Sequence, residues 1–219
     1  MAIVDIDLEK AKLTSRELEK YGVKIIYVQA DVAKPEEVNN MIGLILDNFG
    51  KIDIAVNNAG ICFSENAIDA DISSWQKILS VNLIGAFLTS QAAGRVMVKN
   101  KRGSIINIAS MSAQVVCRPQ ALAIYNSSKA GLVQLTRSMA AEWAKFNVRV
   151  NSISPGYIAT EMSLNEKNKD LFSGWIESIP MKRMGEPEEL QGIALYLASD
   201  ASTYTTGADI IVDGGFTCW

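Results

Sequence analysis

Histidine is missing from this chain, and its absence removes whole classes of chemistry. A Ser-His-Asp triad, a Cys-His pair and any histidine metal centre are excluded. Cysteine is scarce. Cys62, Cys117 and Cys218 stand far apart with no C-x-x-C spacing, so they are expected to be reduced thiols with no metal role. Positive charge is not in excess either: the net charge is -3 and no basic stripe is visible, which argues against a nucleic-acid partner. No apolar run reaches membrane-spanning length, and Met1–Asp7 lacks the basic start of a signal peptide. The expected setting is the cytoplasm, with no membrane partner. Proton transfer, if the protein performs any, falls to Tyr, Lys, Asp, Glu or Cys.

What is present is an alternation. Apolar, β-branched runs at Ala2–Val4, Lys24–Gln29, Ile52–Val56, Ser104–Ile108, Val148–Ile153 and Asp209–Val212 predict strands. Longer amphipathic stretches at Leu8–Tyr21, Pro35–Phe49, Ser73–Val98, Ala123–Phe146 and Pro187–Ala198 predict helices, with Asp7 as an N-cap. Strand–helix alternation throughout 219 residues predicts one three-layer α/β domain. Its parallel sheet is doubly wound and Rossmann-like, with helices on both faces. The polar-then-aromatic stretch from Glu161 to Pro180 interrupts the alternation. It is expected to cover the site or to pack as a connection.

Ligands of such sheets bind beyond the carboxyl ends of the strands, and the polar residues collect there. Asp5 closes the first strand and Asp31-Val32 follows the second. Asn57, Asn58, Ala59 and Gly60 follow the third, Ser110 and Ser112 the fourth, and Ser154, Pro155 and Gly156 the fifth. Tyr125 and Lys129, four apart, share one helix face. A lysine ammonium so placed is expected to depress the phenol's pKa from about 10 toward neutrality, suiting it to alcohol–ketone chemistry. An acidic residue at Asp5 would accept hydrogen bonds from adenosine ribose hydroxyls and repel a 2′-phosphate, so NAD is expected over NADP.

These residues together resemble the short-chain dehydrogenase/reductase family: N-N-A-G at Asn57–Gly60, Asn82 in S-V-N-L, Ser112 thirteen residues before Tyr125, Lys129, and Pro155-Gly156. The resemblance runs from Ala2 to about Gly215. It implies Asn82, Ser112, Tyr125 and Lys129 as catalytic residues. Tyr125 would exchange a proton with the substrate oxygen, Ser112 would hold that oxygen, and Lys129 would tune Tyr125 and hold the nicotinamide ribose. Asn82 would interrupt its helix and hold a water behind Lys129. It also implies a cofactor site from Asp5, Asp31, Val32, Asn58, Ala59, Gly60, Tyr125, Lys129, Pro155, Gly156, Ile158 and Thr160. The C-terminal stretch from Ala201 is similar to fungal polyol and ketose members, implying a polyol/ketose substrate pair such as D-arabinitol and D-ribulose. Gln114, Glu161 and Trp175 are further candidates for the pocket. A homodimer or homotetramer is implied as well. For it the apolar residues Phe87, Met97, Leu132, Met139 and Trp143 are expected to supply surface.

The chain departs from that family at its start. The first strand and its T-G-x-x-x-G-x-G loop have no counterpart, so the sequence reads as a fragment of a longer parent. Two unpaired strand edges are expected between Ala2–Val4 and Ile52–Val56, along with weakened activity and cofactor affinity. A non-catalytic scaffold keeping only the fold's assembly surfaces is the second reading. A methyltransferase on a similar sheet is the third, though it leaves Tyr125, Lys129 and Ser112 without a task.

Overall fold

The computed structural model describes residues 1–218. Six parallel strands and seven α-helices follow the expected alternation. They are β1 (Ala2–Asp5), α1 (Leu8–Leu18), β2 (Ile26–Gln29), α2 (Pro35–Phe49), β3 (Ile54–Asn57), α3 (Ile72–Leu79) and α4 (Ala86–Asn100). Then come β4 (Gly103–Ile108), α5 (Ala123–Trp143), β5 (Val148–Pro155), α6 (Phe172–Ser178), α7 (Gln191–Ala198) and β6 (Asp209–Val212). Local chemistry sets the boundaries. The Asp7 side chain accepts from the amides of Glu9 and Lys10 and starts α1. Pro35 opens α2, and Gly50, at φ +70°, closes it by donating its amide to Leu46 O.

The strands do not form one continuous sheet. β1 pairs with β2, and separately β3, β4, β5 and β6 pair in that order. Among the described residues β1 pairs only with β2 and β3 only with β4, so each has an unpaired edge, as expected. β3 also departs from the usual covering of parallel sheets. Ile54 and Val56 point to one face of it and are 47% and 53% exposed, so helices cover only its other face. Apolar packing joins the two sheets. Val28, Ala30, Val38 and Met41 form a core with Ala92 of α4, and Val32 lies so close to Gly85 that a Cβ there would be 2.7 Å from its Cγ2.

The larger sheet has a polar heart. The Asn57 amide donates to Asn107 Oδ1 and to Ser90 Oγ, each at 2.7 Å, and the Asn107 amide donates to Thr136 Oγ1 at 2.8 Å. All four residues are buried. They tie β3, β4, α4 and α5 together, and apolar cores lie around them.

The interruption expected at Asn82 is a π-helical turn over Ser80–Gly85 in the helix from Ser73. One expectation needs correction. Met97, Leu132 and Met139 are core residues at 0%, 1% and 4% exposure, so they offer nothing to a subunit interface; Phe87 remains 38% exposed. The interrupting segment forms a 3-10 turn and then α6, held down by Trp175, whose ring stacks on Tyr157 at 4.4 Å.

The unpaired edge predicts uneven protection. In native-state hydrogen exchange, the β1 and β3 amides that point away from β2 and β4 are expected to exchange at least ~10²-fold faster than those of β4 and β5. Equal protection of β3 and β4 would contradict the split sheet.

Candidate active site

The site forms at the carboxyl ends of β3, β4 and β5. α5 carries Tyr125 and Lys129 on one face, with Lys129 buried and its Nζ 5.7 Å from the Tyr125 ring centre. That ammonium donates to Ile108 O, at the end of β4, at 2.7 Å. Ser112 sits in the turn that follows β4, buried, and its amide donates to Ser110 Oγ at 3.1 Å.

Asn82 lies within the π turn and is 1% exposed. Its Oδ1 accepts from the Ile61 amide at 2.8 Å, and its Nδ2 donates to Ile61 O at 2.9 Å and to Ser128 Oγ at 3.1 Å. One amide thus clamps the turn after β3 to α5. Widened helical turns recur where a side chain must be turned from its regular direction toward a site. The clamp sets Gly60 against α5: a Cβ at Gly60 would lie 3.5 Å from both Asn82 Oδ1 and Lys129 Nζ. Asn58 and Ala59 belong to this same turn. The side chain of Asn82 is fully engaged with Ile61 and Ser128.

The electrostatics differ from the expectation. Burial pushes the Tyr125 phenol up to about 12, and an interaction with Ser110 offsets this only in part. Burial pushes Lys129 down to about 8. The depression of the phenol expected from the lysine is not found, because burial outweighs what lowers it. The geometry brings the pair onto one face, as the spacing required, but desolvation dominates both groups.

The other anticipated positions fall into two groups. Pro155 ends β5, and Gly156 passes so near Asp213 that a Cβ would be 2.6 Å from its Cα, so only glycine fits. Ile158 is buried and bridges to Gly185, while Thr160 is exposed and bonds Ser163. On the far side, Asp5 closes β1 and accepts from the Asp7 amide at 2.8 Å. Asp31 accepts from the Ala33 amide at 2.9 Å and lines a cavity of about 440 Å³ with Lys34 and Glu37, apart from Ser112, Tyr125 and Lys129. Gln114 donates to Asp209, Glu161 pairs with Lys10, and Trp175 packs on Tyr157.

Two neighbours went unpredicted as site residues: Cys62 and Cys117. Cys117 Sγ is 3.4 Å from Ser112 Oγ. Burial raises the Cys62 thiol to about 11, and Lys129 is near enough to pull it back in part. Their signal was sequence proximity, two residues after Gly60 and five after Ser112. Among the described residues no cluster of Cys, Asp or Glu is suited to a metal ion.

The lysine shift makes a test. Folded chains release the Lys129 proton near pH 8, whereas unfolded chains keep it to about 10.5. Unfolding in this window therefore takes up a proton, and the lysine's contribution to stability rises with pH. The melting temperature of the native protein minus that of Lys129→Met is expected to increase between pH 7.5 and 10. A flat difference would show that burial does not govern this ammonium.

Comparison with known proteins accords with this geometry. Residues 1–217 match the profile of a family described as enoyl-(acyl carrier protein) reductase. D-arabinitol 2-dehydrogenase [ribulose-forming] of Scheffersomyces stipitis is 39% identical, covering 100% of this chain and 85% of the relative. An NADP-dependent mannitol dehydrogenase of Hypocrea jecorina is 42% identical, covering 95% of this chain and 78% of the relative. The crystal structure of a short-chain type dehydrogenase/reductase from Mycobacterium marinum superposes with a TM-score of 0.96 at 43% identity. It covers 100% of this chain, which spans 85% of that one. The chain belongs to the short-chain dehydrogenase/reductase family of nicotinamide-dependent oxidoreductases.

Proposed function

We propose that the protein interconverts a secondary alcohol of a polyol and the corresponding ketose, with NAD as hydride partner. The observation that carries this reading is the convergence of Ser112, Tyr125 and Lys129 at the end of β4, behind a turn clamped by Asn82. The polyol class is supported by the relatives named for arabinitol and mannitol.

A nicotinamide, when bound, supplies the hydride acceptor or donor. The chain's own residues do the rest. Tyr125 Oη passes its proton to the ketone oxygen in reduction and takes one from the alcohol in oxidation. Ser112 Oγ donates to the same oxygen and stabilises the negative charge that develops there. Lys129, buried and cationic near neutral pH, favours the phenolate form of Tyr125 once substrate and cofactor close the site. Asn82 keeps α5 and the Asn58–Gly60 turn in register. The buried ammonium and the open glycine at position 60 fit a nicotinamide ribose, and the Ile158 segment fits the carboxamide end. Asp5 fits the adenosine ribose.

NAD is favoured because the acidic end of β1 is not neutralised. Lys10, the basic residue nearest Asp5, is tied to Glu161 at 3.2 Å. A cytoplasmic homodimer or homotetramer completes the reading. The exposed Phe87 and Ile84 beside α4 support it, and no described helix is long and apolar enough to cross a membrane.

Two experiments test it. Tyr125→Phe is expected to lower turnover at least ~10²-fold while calorimetry finds cofactor affinity unchanged. Near-normal turnover would remove Tyr125 from the reaction. Separately, Asp5→Ser is expected to shift the ratio of kcat/KM for NAD over NADP toward NADP by about tenfold. A native protein that already uses NADP better would refute the reading of Asp5.

A further inference from the structure

Ser112 has one polar neighbour that the reaction does not use. Cys117 leaves the loop after β4, is 2% exposed, and brings its sulfur to 3.4 Å from Ser112 Oγ. Either group can donate in this contact. Behind the sulfur stands Tyr157. Its hydroxyl is buried with no hydrogen-bond partner of ordinary geometry, and the Cys117 thiol is the polar group it faces. Burial, with Cys117 beside it, holds this phenol well above its usual range, so it keeps a proton that it can donate toward the sulfur. The ring has little freedom to turn elsewhere. It stacks on Trp175 at 4.4 Å and meets Phe216 edge-on at 5.7 Å.

A serine hydroxyl has one proton and a free rotor. To stabilise charge on the substrate oxygen, that proton must point at the substrate. A donor to Oγ occupies a lone pair and turns the serine proton away from the thiol. We propose that Cys117 is a positioning residue for the reaction: its S–H donates to Ser112 Oγ, is itself held by the Tyr157 hydroxyl, and so aims the Ser112 proton at the substrate oxygen. The inference rests on the dehydrogenase reading for the role of Ser112. It goes further in giving a task to a thiol and a tyrosine outside the Tyr125–Lys129 pair. No bond is made or broken in this arrangement, and both thiol and hydroxyl keep their protons.

Two substitutions separate positioning from packing, because they rank oppositely under the two roles. If Cys117 only fills space, alanine is the better replacement in a buried apolar niche and serine the worse. If it donates, serine preserves the donor and alanine removes it. Cys117→Ala is expected to lower kcat about tenfold with KM within about twofold, and Cys117→Ser to recover kcat to within about threefold of the native protein. Tyr157→Phe, which keeps the stacked ring, is expected to lower kcat by about threefold without lowering the melting temperature. Alanine equal to the native protein, or serine worse than alanine, would overturn the assignment.

A second readout does not depend on turnover. Raman spectra of the S–H stretch are expected to show one thiol band moving to higher frequency in Ser112→Ala, as the donated bond is lost. If the native protein turns over no polyol, the hydride reading fails, and this band then judges the Cys117 contact alone. A band that does not move would overturn it.

Discussion

A parallel sheet buried on both sides can hold polar side chains in its centre only if each finds a partner, and this fold meets that demand with one chain of amides and hydroxyls. Asn57, Asn107, Thr136 and Ser90 come from two strands and two helices, and each bond between them has a length typical of a strong neutral pair. Directional bonds carry information that apolar packing does not. They set the height of α5 relative to the ends of β3 and β4. The height of α5 in turn sets where Tyr125 and Lys129 stand against Ser112. Removing one member would leave its partners buried and unsatisfied, at about 1–3 kcal/mol for each group. Thr136 lies two turns beyond Lys129 on the same helix, so the face carrying Tyr125 and Lys129 and the structural anchor share a rod.

Desolvation gives the site its chemical character. A neutral phenol and an ammonium with a weakened hold on its proton are both consequences of taking ionisable groups out of water. The same burial makes a thiol beside Lys129 reluctant to ionise, which keeps Cys62 from competing as a nucleophile. Charge separation is thereby deferred until substrate and cofactor bring partners of their own.

The periodicity of the chain revealed most of the fold, because β-branched runs and amphipathic stretches alternate without ambiguity. Tyr125, Lys129 and Ser112 were legible for a different reason: each follows a strand end or a fixed helical spacing, where geometry is local. Asn82 and the interruption of its helix entered only through the family resemblance, and the partners of its side chain, Ile61 and Ser128, lie too far along the chain for a local pattern to give. Met97, Leu132 and Met139 looked like surplus surface because amphipathic pattern does not tell a subunit interface from a deep core. The proton affinities of Tyr125 and Lys129 were misjudged because spacing reports proximity and not solvent. The contact between Cys117 and Ser112 depends on a loop whose path no propensity describes.

The break between β1 and β3 has a mechanical meaning for ligand binding. The half that carries Asp5 is held to the half that carries Lys129 by apolar contacts of α2 with α4 and of Val32 with Gly85, and at the surface by one exposed ion pair, Lys10–Glu161. Apolar contacts resist separation but tolerate sliding, because they lack preferred directions. On the reading proposed for Asp5 and Lys129, a dinucleotide would span this seam and act as a cross-brace. Part of its binding free energy would then go into fixing the spacing of the two halves, and it would stiffen the fold through mass action as well as take part in the chemistry.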